Sequence, residues 1–106
     1  MNKRNRITEL AKLLVNSLSH KIGSIVNKED PYAEKYSKEA INFFNLAKKV
    51  LENGNWNNYD KIKIKEELKK KLSNELEKRD FLDKRKFDIM DEEIDKALKE
   101  LDLNLD

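Results

Sequence analysis

No cysteine occurs among the 106 residues, and glycine (2), proline (1) and histidine (1) are almost as scarce. The first absence excludes disulfide frameworks, thiol nucleophiles and cysteine-ligated zinc. With so few glycines and prolines there are few places for the tight turns of β-sheets, and long helices are expected instead. The single histidine, His20, has no acid, serine or second histidine at a motif spacing, and acid–base catalysis needs such positioned company. It is read as a surface or rim residue.

Long apolar runs are missing too. None approaches the roughly 20 residues of a membrane span. The start from Met1 to Arg6 is basic like that of a signal peptide. Glu9, Lys12, Asn16 and His20, however, interrupt the apolar stretch that would have to follow. A cytoplasmic protein without membrane contact is the expectation.

What is present is charge, 42% of residues against 38% hydrophobic, with a net of only +2. Low net charge and regular apolar spacing favour order over disorder. A chain of this length makes one domain, residues 1–106, with one modest core. The charge is segregated near the end: residues 55–87 hold 11 Lys/Arg against 7 Asp/Glu, and residues 88–106 hold 2 against 8.

Apolar periodicity marks out the helices. From about Arg6 to Val26, Ile7, Leu10, Ala11, Leu14, Leu18, Ile22 and Ile25 recur every three or four residues. Leu13, Val15 and Val26 widen this stripe, which implies more than one neighbour. A second helix is expected with Asp30 as N-cap, Pro31 at its first position and a stop at Asn53-Gly54. Its face alternates small and aromatic residues: Ala33, Tyr36, Ala40, Phe43, Phe44 and Ala47. Trp56 stands in the following linker, placed either to close the hairpin or to project as an anchor for a partner.

Asn57 and Asp60 resemble a capping box for a third helix, whose Ile64, Leu68, Leu72 and Leu76 lie four apart, with Lys61, Lys65 and Lys69 along one flank. From Asp80 to Asp91 either a kink or a short extra helix fits, with Phe81, Leu82, Phe87, Ile89 and Met90 as core material. A last helix is expected from Asp91, capped by that residue and carrying Ile94, Ala97, Leu98 and Leu101, with residues 103–106 frayed.

Few side chains point to chemistry. Asp91, Glu92, Glu93 and Asp95 lack the residue order of a calcium loop or a di-iron Glu-x-x-His pattern. Acids in a first helical turn are stabilising without any ligand. There is no glycine-rich phosphate loop. No catalytic residue, metal, cofactor or small-molecule substrate is therefore expected, and the protein is read as not an enzyme.

The segment from Arg6 to Lys28, RITELAKLLVNSLSHKIGSIVNK, resembles the helix-turn-helix of DNA-binding repressors. Ile-Thr-x-Leu-Ala-x-x-Leu opens such motifs, and Ile25-Val26-Asn27-Lys28 is similar to their close. No glycine occupies the turn expected near Val15 or Asn16. The resemblance implies His20, Lys21 and Ser24 near base edges and Lys3, Arg4 and Arg6 near phosphates.

The expected fold is an all-α antiparallel bundle of three main helices plus a shorter C-terminal helix. The expected function is a small non-enzymatic interaction or assembly module that binds itself or a protein partner, with Leu13, Val15 and Trp56 as contact residues. The alternative is a nucleic-acid-binding regulator, acting through residues 3–28 or through the basic helix around residues 61–86 with Lys61, Lys65 and Lys69. The acidic last helix is expected to dock on the third helix and mask those lysines.

Overall fold

Local signals at the helix ends set the boundaries of the elements. In the computed structural model, which describes residues 2–52, 54–79 and 84–105, Asn2 accepts the backbone N–H of Asn5 at 2.9 Å. That satisfies one of the donors a helix start leaves open. α1 accordingly runs Lys3–Val26, beginning before the Arg6 expected from apolar spacing. It is continuous through Asn16 and Ser17. No glycine or proline precedes Gly23 to break it, so residues 6–28 lack the turn of a helix-turn-helix and no separate second helix carries His20, Lys21 and Ser24.

α2 spans Ala33–Glu52. Asp30 makes a turn instead of the expected cap: its carboxylate accepts the N–H of Tyr32 at 2.8 Å and its carbonyl that of Ala33 at 2.9 Å. The helix consequently starts at Ala33, not at Pro31. Gly54 closes the other end by donating its N–H to Leu51 O at 3.3 Å; Asn53 lies outside the described residues. α3, Asn58–Lys78, opens on the expected capping box, with Asn57 accepting from Asp60 N at 2.8 Å and Asp60 accepting from Asn57 N at 3.1 Å.

The short-helix reading holds for the next segment, where α4 covers Arg85–Asp88. Asp80, Phe81 and Leu82 lie outside the described residues. Phe87, expected in the core, is exposed, and its neighbour Lys86 is buried in its place. The cause is tertiary: the Lys86 ammonium donates to Arg79 O at 2.8 Å, capping the end of α3.

α5, Met90–Glu100, begins one residue before Asp91, which sits inside the first turn and caps nothing. Its far end does not fray at Leu103. Asp102 adopts a left-handed φ of 58°, so that Leu103 N–H reaches Leu98 O at 2.7 Å and Asp102 N–H reaches Lys99 O at 3.1 Å. This is a Schellman turn, and it folds Leu103 back into the core beside Leu98.

The architecture is an all-α antiparallel bundle. α1 lies in the middle, with α2 and α3 against it, and among the described residues these two flanking helices do not approach each other. α5 rests on α3 and α1, and α4 joins them. The molecule is 40 Å long, close to the roughly 36 Å of a 24-residue helix.

Two neighbours explain the wide apolar stripe of α1. Leu10, Leu14, Leu18 and Ile22 are buried, as are Ile64, Leu68, Leu72 and Leu76 of α3, and Ile94 and Leu98 of α5 complete the core. A buried hydrogen bond from Ser17 Oγ to Ala40 O at 2.7 Å ties α1 to α2.

Candidate protein-interaction surface

The residues expected to contact a partner do not form one surface. Val15 is buried and Leu13 is half-buried against the core. Trp56 closes the hairpin: its indole N–H donates to Leu51 O at 3.0 Å, and the Lys3 ammonium sits 5.6 Å from its ring centre. Lys3 also pairs with Asp60 at 2.9 Å and donates to Asn55 O, so one lysine fastens the start of α1 to the start of α3. Apart from Ile25, which is 43% exposed, the apolar surplus on α1 thus serves internal packing.

Among the described residues the most exposed aliphatic side chain, Ile41, belongs to α2. This helix meets α1 through a ridge of small residues, Ala40 and Ala47, and these are its only buried positions. Small side chains allow close backbone approach, but they also leave the larger neighbours standing off to either side. Ile41 keeps 59% of its surface exposed and Leu46 45%, while Phe43, Phe44 and Val50 are half-buried. At 100° per residue, Ile41 and Phe44 lie on one shoulder of the alanine ridge and Phe43, Leu46 and Val50 on the other. No second helix of the described chain covers either shoulder completely.

Two grooves flank α5. One, of about 330 Å³, separates it from α2 and is floored by Leu18, Ala40, Phe44 and Ala97, with Lys21, Lys48 and Lys96 at its edge. The other, of about 590 Å³, separates it from α3. The Lys96 ammonium is held above its ordinary pKa by its hydrogen bond to Glu92 and by Glu93 beside it.

Several of the basic residues expected to meet nucleic acid have internal partners. Lys65 pairs with Asp95 at 3.2 Å and Lys69 with Asp91 at 3.5 Å, so the acidic helix does lie across the basic flank of α3. Lys61 makes no ion pair among the described residues and lines the α3–α5 groove. Lys21 lies 2.7 Å from Oε1 of the buried Glu93, a contact made by proximity without hydrogen-bond geometry. The other oxygen of Glu93 is 3.4 Å from Lys96. His20 is wedged between α1 and α2, with Nδ1 2.6 Å from Asn16 O, Nε2 3.0 Å from Glu39, and Tyr36 and Phe43 against its ring. Arg6 is half-buried near Gly54, while Arg4 is exposed beside Tyr59 and Lys63.

Residues not singled out from the sequence now stand out, Ile41, Leu46 and Glu39, and Glu93, expected only as a first-turn acid, is buried. Ile41 and Leu46 had a legible signal, being large apolar residues displaced from the alanine ridge. The contacts of Glu39 with His20 and of Glu93 with Lys21 had none, because those two partners come from another helix. Asp60 was legible as a cap but not as the partner of Lys3, whose hydrogen bond is the main reason its carboxyl is held below the usual carboxylate range.

Among the described residues no group of three His, Cys, Asp or Glu side chains is placed to hold a metal, and no helix is long and apolar enough to cross a membrane. Comparison with protein-family models, curated proteins and solved structures finds no match.

Proposed function

We propose that this protein is a small non-enzymatic helical interaction module, and that it binds a second copy of itself or another protein through the outer face of α2. The observation that carries this reading is the mismatch between the length of α2 and its burial: 20 residues, of which two alanines are buried. Ile41 and Leu46 are exposed at the same time. An amphipathic helix with uncovered apolar shoulders is a surface on which a partner helix gains buried area.

The test is sedimentation across a concentration series together with affinity capture, each for the wild-type chain and for Ile41→Asp/Leu46→Asp. Loss of self-association or of captured proteins in the variant supports the reading. A wild-type chain that is monomeric throughout, with a captured set the variant leaves unchanged, removes it.

One observation favours the nucleic-acid alternative at a new place. Tyr59 is exposed with Lys63 over its ring at 5.7 Å and Arg4 nearby, a combination suited to stacking one base beside phosphate-binding cations. Binding of single-stranded nucleic acid that weakens steeply with salt and is lost in Tyr59→Ala would support it. Absence of binding at low salt ends it.

A further inference from the structure

The groove between α3 and α5 has a floor and a rim of different chemistry. Ile62, Leu98, Leu103 and Leu105 make the floor, all aliphatic, and Ile62 and Leu105 are nearly half exposed. Such a floor offers no ring on which a base could stack, but it matches leucine, isoleucine or methionine side chains. Among the described residues that line it stand Lys61, Lys65, Lys69 and Lys99 against Glu66 and Asp95, with Asp91 paired to Lys69 at the edge. The lining positions of α3 run from Lys61 to Lys69, a rise of about 12 Å or two helical turns.

We propose that this groove receives an acidic amphipathic α-helix of a partner protein. Its apolar residues, spaced i, i+3, i+4 and i+7, lie on the aliphatic floor, and its flanking carboxylates meet the lysines of the rim. The inference rests on the reading of the protein as an interaction module, but it uses a surface separate from the outer face of α2.

The rim is graded. Lys61 and Lys99 have no ion pair among the described residues and are the first cations an incoming carboxylate meets. Lys65 and Lys69 are already held by Asp95 and Asp91, in pairs whose side chains are all more than half exposed. Exposed pairs of this kind are weak, so a partner carboxylate displaces them readily. A basic helix finds the same lysines repulsive.

The experiment is fluorescence anisotropy at low salt with the full chain. The probe is a labelled synthetic helix carrying leucines at i, i+3, i+4 and i+7 and glutamates on both flanks. The comparison probes are the same peptide with lysines for glutamates and a labelled oligothymidylate.

Saturable binding of the acidic helix alone is expected, with amide shifts at Ile62 and Leu105 in nuclear magnetic resonance spectra. The double variant Lys61→Glu/Lys99→Glu should weaken it about tenfold, by loss of complementary charge, and Lys12→Glu, the same charge change at an exposed position outside the groove, should leave it unchanged. All these positions are on the surface, and circular dichroism checks that each variant is folded. Equal binding of the lysine peptide, preference for the oligonucleotide, or binding that ignores Lys61→Glu/Lys99→Glu overturns the proposal. If that happens while Ile41→Asp/Leu46→Asp still abolishes association, the groove assignment has failed and the interaction-module reading stands.

Discussion

α2 and α3 flank the same central helix and are nearly equal in length, 20 and 21 residues, yet they meet it in opposite ways. α3 commits an aliphatic ladder inward, with Ile64, Leu68, Leu72 and Leu76 showing no exposed surface, and leaves Tyr59 and Ile62 outside it. α2 buries only alanines fully, packs Phe44, Val50 and Leu51 partly against the core, and turns Ile41 and Leu46 outward. An aliphatic ladder removes the most apolar area from water and is where a helix contributes most to stability. An alanine ridge gives proximity at less gain and leaves apolar area over. α3 is thus built mainly to hold the bundle together, whereas α2 keeps part of its apolar surface uncovered.

The largest effect should follow an assault on the ladder. Leu68→Ala leaves a cavity in the core and is expected to cost about 2–5 kcal/mol, read by chemical denaturation. A cost as small as that of a surface change would break the contrast. Next comes the ridge: Ala47→Leu forces α2 away from α1 and should cost about 1–3 kcal/mol through overpacking. A neutral outcome would mean that the helices are not in close contact there.

Smaller again is the capping box of α3. Asn57→Ala should cost about 1 kcal/mol. The other half of the box adds a pH dependence with a definite sign. The carboxyl of Asp60 is held below its ordinary value of 3.8 by the Lys3 hydrogen bond, so its contribution is complete above that value and is lost as pH falls through the lower, folded-state value. Acid titration of stability should show a shallower decline in Asp60→Asn than in the wild-type chain.

The smallest stability change is expected for Ile41→Asp and Leu46→Asp, within about 0.5 kcal/mol. Loss of association without loss of stability would sharpen the division of labour between the two helices. A large destabilisation by either would show that the shoulder is part of the core.

Features that depend on neighbours in the chain were legible beforehand. The four-residue spacing of Ile64, Leu68, Leu72 and Leu76 and the Asn57/Asp60 box both reappear as expected, because each is settled within one or two turns. The docking of acidic α5 on α3 was legible as well, since opposite charge on nearby elements constrains how they can meet. The expected masking is partial, however: Lys61 makes no ion pair among the described residues, and Lys65 and Lys69 stay more than half exposed. Asp30-Pro31 was ambiguous, because the same aspartate that caps a helix also stabilises a turn two residues earlier.

The exchange of Lys86 for Phe87 was not legible at all. It depends on where the carbonyl of Arg79 lies, and periodicity has no access to that. Nor could the stripe of α1 tell whether its second neighbour was another helix of the chain or a partner. The tertiary arrangement answers with α2 and α3, and leaves Ile41 and Leu46 of α2 uncovered.

The buried Lys86 has a chemical consequence. Its ammonium is sequestered against the end of α3 and lies 5.2 Å from the ring centre of Phe87, while Lys84 nearby is exposed. An amine-reactive reagent in solution will acylate Lys84 quickly and spare Lys86 until the α4 segment lifts away. The ratio of label on these two lysines, read by mass spectrometry, is therefore a clock for that opening, already written into the wild-type chain.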